Sequence, residues 1–73
     1  MTDFSVGEHV AEVPYYNWKK YVDGVPYDQI PDVRYGDIIS KRITMGYPVY
    51  MVRFNDGKIV ELDGVNFVSM EDK

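Results

Sequence analysis

The chain has 73 residues and a mass of 8.5 kDa, room for one domain, and a fold this small hides only about 60% of the surface its unfolded form exposes. It holds no cysteine and a single histidine, His9, which excludes a disulfide framework, a thiolate nucleophile and a zinc site built from several thiolates or imidazoles. Eight basic residues against twelve acidic ones give a formal charge of −4, which opposes the phosphate neutralisation on which nucleic-acid affinity rests.

Residues Met1 to Val10 carry neither the basic start nor the apolar run of about 7 to 15 residues that a secretory signal needs. No apolar run is long enough to cross a bilayer, so the expectation is a cytoplasmic protein without a membrane segment. Val6, Val10 and Val13 frame a first strand. In the alternation Glu8 His9 Val10 Ala11 Glu12, Val10 points inward and His9 outward, as an ordinary surface histidine.

From Pro14 to Arg34 the pattern changes. This stretch of about 21 residues carries three prolines (Pro14, Pro26, Pro31) and five aromatics (Tyr15, Tyr16, Trp18, Tyr21, Tyr27). Structureless loops beyond about 12 to 15 residues are uncommon in compact domains, and five large rings argue against disorder, so a folded, solvent-facing loop is expected. Asn17 is placed to cap one helical turn over Trp18 to Tyr21, stopped by Gly24, which lays Trp18 and Tyr21 side by side. The acidic residues Asp23, Asp28, Asp32 and Asp37 lack the alternating spacing of a calcium loop. There is no glycine-rich phosphate loop and no nucleophile elbow, so no metal, no cofactor and no enzymatic activity are expected.

The second half is punctuated at Gly46, at Asn55 Asp56 Gly57 and at Asp63 Gly64, with apolar stretches of strand length between. A strand from about Tyr35 to Ile43 puts Ile39, Lys41 and Ile43 on one face and Ile38, Ser40 and Arg42 on the other, the mark of a strongly bent strand. Thr44 Met45 Gly46 turn it into the next. For the following hairpin, a two-residue loop at Asp56 Gly57 sets Val52 against Glu61, a carboxylate beside a core position. A three-residue loop with Gly57 left-handed instead sets Val52 against Val60 and Tyr50 against Leu62, and is the register expected. It places Arg53 diagonal to Glu61, as an exposed ion pair. Val65 to Met70 completes the sheet as a turn and a short last strand. Leu62 Asp63 Gly64 Val65 Asn66 Phe67 echoes Val22 Asp23 Gly24 Val25 Pro26 Tyr27, the same turn chemistry used twice rather than a structural repeat.

A strand, a long first loop, three strands joined by tight turns and a short last strand is an order that resembles the SH3-like five-stranded small barrel, an all-β fold. Within that class, Phe4 Ser5 Val6 Gly7 Glu8 His9 Val10 Ala11 resembles the opening of Tudor-type domains, Tyr35 Gly36 Asp37 Ile38 Ile39 Ser40 their second strand, and Tyr50 Met51 Val52 Arg53 Phe54 Asn55 Asp56 Gly57 the turn that follows. The resemblance spans residues 4 to 70. It implies an aromatic cage for a methylated lysine or arginine, with walls at Tyr15 or Tyr16, at Tyr35 and at Phe54, and with Asp56 facing the cation.

The residues themselves point to a binding module. Tyrosine and tryptophan contribute large contact area at low entropic cost and carry a polar tip, so the partner surface is expected at Tyr15, Tyr16, Trp18, Tyr21 and Tyr27, with Tyr35, Phe54 and Asp56 adjoining. The partner is a protein or peptide, with the acidic balance favouring a basic segment. The alternative is a nucleic-acid-binding barrel that uses Trp18, Lys19, Lys20, Lys41 and Arg42. Homodimerisation through an edge strand is a third arrangement open to a small sheet.

Overall fold

The computed structural model describes residues 3–70, and five strands make up most of its regular structure: β1 (His9–Glu12), β2 (Arg34–Thr44), β3 (Tyr47–Phe54), β4 (Ile59–Leu62) and β5 (Phe67–Ser69). All pair antiparallel in one sheet of order β4-β3-β2-β1-β5. The expected five strands form, but the sheet does not close into a barrel: among the described residues no ladder joins β4 to β5. Both are short edge strands of four and three residues, which leaves little backbone for another chain to extend.

The hairpins follow local chemistry. Gly57 has φ +91°, and the Phe54 N–H donates to the Lys58 carbonyl at 2.8 Å, so Asn55 Asp56 Gly57 form the three-residue loop and the register sets Tyr50 against Leu62 and Val52 against Val60. The β2–β3 turn has only two residues, Met45 and Gly46, since Thr44 already pairs with Tyr47. Both have positive φ, +51° and +90°, as a type I′ turn requires. Met45 is a poor occupant of a left-handed position and is 89% exposed. Met45→Asn should therefore raise stability by about 0.5–1 kcal/mol, read as an upward shift of the urea midpoint; an unchanged or lower midpoint would count against the turn assignment.

The bend expected in β2 is a bulge. The register slips between Ile38 and Ser40, which turns Ile38 into the core (1% exposed) and returns Lys41 to the inner side, opposite Tyr50. The exposed ion pairs differ from the diagonal expected: Arg53 faces Asp37 at 3.5 Å, and Glu61 accepts from Arg42 at 2.9 Å. Arg42 lies on the far side of β3, so Glu61 reaches across that strand rather than along it.

The core is Phe4, Val10, Ile38, Tyr50, Val52, Phe54 and Phe67, with Val60 and Leu62 packed at its margin. Phe4 precedes the first strand, yet its ring meets those of Tyr50 and Phe67 edge-on at 5.6 and 5.7 Å. Val6, expected to frame β1, is 60% exposed, because the Gly7 N–H bonds the Ile38 carbonyl at 2.7 Å and the chain joins the sheet only after that contact. A polar staple holds Phe4 in place. The Tyr50 hydroxyl accepts from the Phe4 N–H and donates to Asp3 Oδ1, both at 3.1 Å, and Lys41 Nζ reaches the same oxygen at 2.6 Å.

This staple makes stability depend on pH at both ends of the scale. Burial first, then the bond to Asp3, hold the Tyr50 hydroxyl above its ordinary range, although the Phe4 bond pulls the other way; the bond to Asp3 raises the Lys41 ammonium. Both groups bind their protons more tightly folded than unfolded, so their contribution is full below about pH 10 and is lost as the pH climbs through the folded values. The bond from Lys41 lowers Asp3, and the bond from Arg42 lowers Glu61. Those contributions are full above about pH 4–5 and vanish on acidification. Urea midpoints measured from pH 3 to 11 should form a plateau with two falling limbs. A midpoint still level at pH 11 would contradict the staple.

Candidate functional site

The long first loop folds as a series of short turns. Tyr15–Asn17 and Tyr27–Gln29 are single 3-10 turns, and α1 (Trp18–Val22) is one short helix between them. Pro14 and Pro26 each precede a 3-10 turn with extended backbone, φ −60° and −59°, the geometry their rings favour. Asn17 does not cap the helix with its side chain. It is buried, and its Nδ2 donates to the Pro31 carbonyl at 2.8 Å, tying the two halves of the loop together. Asn66 anchors the entrance to the loop, donating to the Val13 carbonyl at 2.6 Å while its own carbonyl accepts the Val13 N–H at 3.0 Å.

The two Asp-Gly echoes turn the chain by different bonds. After α1 the Val25 N–H caps the Lys20 carbonyl at 2.9 Å, whereas the Val65 N–H bonds Asp63 Oδ1 at 3.2 Å. The first stops a helix; the second is an Asx turn that aims the chain from β4 towards β5.

Trp18 and Tyr21, three residues apart on α1, pack side by side with ring centroids 5.2 Å apart and planes tilted by 38°, and both are half-buried. They form one wall of a groove of about 670 Å³. Tyr47 and Pro48, the first residues of β3, form another wall, and the Asp63–Val65 turn and all of β5 complete it. Tyr47 and Val65 are exposed at 53% and 61%, so the surface is apolar and open. The groove adjoins the part of the sheet that stays unclosed: β4 ends its ladder at Leu62 opposite Tyr50, and β3 runs on through Tyr47–Val49 paired with β2 only.

The structure gathers some of the sequence-derived site residues and separates others. Trp18 and Tyr21 line the groove. Tyr27 and Tyr35 form a separate pair, centroids 6.3 Å apart. Tyr15 and Tyr16 are 70% and 74% exposed, and the Tyr16 hydroxyl donates to Asp32 at 2.9 Å. That bond raises the hydroxyl above its ordinary range. Phe54 is a core residue at 3% exposure; the Arg34 guanidinium, bonded through Nε to Glu12 at 2.8 Å, lies 4.1 Å from its ring centre. Asp56 accepts the Lys58 N–H within the β3–β4 turn at 3.0 Å.

The basic residues of the nucleic-acid alternative are largely matched by carboxylates: Lys19 by Asp23 at 2.8 Å, Lys41 by Asp3 at 2.6 Å and Arg42 by Glu61 at 2.9 Å. His9 is exposed. Among the described residues no cluster of histidine, aspartate or glutamate is arranged to hold a metal, and no helix is long and apolar enough to cross a membrane.

Sequence reasoning missed Tyr47, Pro48, Asp63 and Val65. The available signal was Pro48 itself, a proline inside a strand pattern, which marks an edge position. Compared with known proteins, the chain matches no family model, no curated protein and no solved structure.

Proposed function

We propose that the protein is a small, non-enzymatic interaction module that docks an extended segment of a partner protein in the groove between α1, the start of β3 and the Asp63–Ser69 stretch. The strand order and the long first loop support a scaffold of the SH3-like kind, left open where its barrel would close. One observation carries the reading: three segments distant in sequence bring Trp18, Tyr21, Tyr47, Pro48 and Val65 to one open groove in a domain with little apolar area to spare. Concave, aromatic-lined surfaces of this size are where partners and ligands bind. The nucleic-acid alternative has the weaker support, since three of its four cations already pair with carboxylates and the net charge is negative.

A selection of random twelve-residue peptides displayed on phage against the intact protein tests this. Enrichment of sequences that bind the protein but lose at least tenfold in affinity against both Trp18→Ala and Tyr47→Ala variants is the expected result. Neither ring is in the core cluster, so both variants should keep the circular dichroism of the parent. Failure to enrich any binder, or binders indifferent to both substitutions, would overturn the reading.

A further inference from the structure

We propose that the anchor of the docked segment is an arginine side chain, held by the Asp63 carboxylate and the Pro48 carbonyl. This rests on the docking reading above and adds the chemistry of its central contact.

Two of the residues that line the groove, Asp63 and Pro48, offer it acceptors. Asp63 lines it, and its only bond among the described residues is the turn contact from the Val65 N–H at 3.2 Å; no cation pairs with it. The second acceptor follows from alternation along β3. The Phe54 N–H points to the β4 side, where it meets the Lys58 carbonyl, and the Asn55 N–H points to the β2 side, where it meets the Tyr35 carbonyl. Successive residues of a strand alternate in this respect, so Val52, Tyr50 and Pro48 all direct their backbone polar groups towards β4. At Pro48 the partner strand has ended, since the ladder stops at Tyr50 and Leu62. Proline has no N–H. The groove therefore receives a carbonyl oxygen without the donor that normally accompanies it, and full strand addition along this edge is blocked at the same point.

A carboxylate and a carbonyl without a cation among the lining residues call for a ligand made only of donors. A neutral segment could bond these oxygens through amide or hydroxyl donors but would leave the Asp63 charge without a countercharge, and an acidic segment would be repelled by it. Of the two cationic side chains, arginine fits better. Its planar guanidinium offers five N–H donors in a fixed fork, is more weakly hydrated than an ammonium, and stacks on aromatic rings such as Trp18, Tyr21 and Tyr47. The chain's net charge of −4 adds long-range attraction for the same partner.

The test uses a peptide from the selection above, resynthesised with its basic residue as arginine, as lysine and as citrulline, the uncharged analogue of arginine. Each is titrated against the intact protein and against Asp63→Asn, which keeps the oxygen that closes the Asx turn and removes the charge. Binding is read by Trp18 fluorescence. The expected order on the parent is arginine, then lysine several-fold weaker, then citrulline at least tenfold weaker. Asp63→Asn should lose at least tenfold for the arginine peptide and little for citrulline. Binders without any basic residue, or equal affinity of the arginine and citrulline peptides, would overturn the arginine anchor while leaving the docking groove standing. Loss of the Trp18→Ala effect would instead remove the groove itself.

Discussion

Phe4→Ala is expected to unfold the protein at room temperature. The ring is 2% exposed and packs edge-on against Tyr50 and Phe67, so its removal loses both the transfer energy of a buried phenyl group and the contacts around the space it leaves, about 3–5 kcal/mol together. Domains of this length rarely have more than about 3–5 kcal/mol of stability from a single core, and a sequence without cysteine has no disulfide to supplement it. Phe4 also lies in a segment joined to the sheet by few bonds, and without its ring the Tyr50 staple has nothing apolar to hold. A thermal melt followed by near-ultraviolet circular dichroism decides the matter. The parent should show a cooperative transition and the variant none, with Phe4→Leu falling between them. A variant melting within a few degrees of the parent would show that the N-terminal segment is peripheral to the core.

The second large effect is expected at Gly36. This residue sits in the middle of β2, paired with Val10 on one side and Phe54 on the other. A β-carbon there would lie 2.6 Å from the Arg53 carbonyl oxygen and 3.0 Å from side-chain atoms of Phe54 and Val52. The nearest of these is backbone of the neighbouring strand and cannot rotate away, so Gly36→Ala must push β3 outward or distort β2. Overpacking in a dense core costs about 1–3 kcal/mol, and the upper end applies because the obstruction is main chain. The measurement is the urea midpoint, expected to fall by more than half. Wild-type stability in Gly36→Ala would mean that the two strands are further apart than described.

How far these features could be read from residues alone depended on whether one local conflict decided them. The β3–β4 register was legible because a one-residue change in loop length would have placed Glu61 beside Val52, and Gly57 offered the left-handed residue that avoids it. The packing of Trp18 beside Tyr21 was legible as an i, i+3 pair on a single turn. Closure of the sheet was not. Whether β4 meets β5 depends on contacts between chain ends, such as Asn66 with Val13 and Ser69 with Glu8, and no local pattern encodes these.

The candidate site was half legible for the same reason. Its helix wall came from one contiguous run of rings, while Tyr47, Asp63 and Val65 reach it from elements whose relative placement only the assembled sheet determines. Tyr15 and Tyr16 carry the same composition signal as Trp18 but face solvent outside the groove, because the first 3-10 turn ends at Asn17 and the chain is tied there to Pro31. Phe54 entered the site as a wall of the cage that the Tudor-type resemblance implies, yet the inward alternation of Tyr50, Val52 and Phe54 takes it into the core.

The central claim is that a partner segment occupies the groove between α1 and the start of β3. Backbone amide and Trp18 indole resonances, followed by heteronuclear NMR while a selected peptide is added, test it most directly. Perturbations concentrated at Trp18, Tyr21, Tyr47, Val65 and Val68, with Tyr15, Tyr16 and the Arg42–Glu61 face unmoved, are the predicted result. Saturable binding that shifts residues elsewhere and leaves the Trp18 indole and the Val65 amide in place would contradict it.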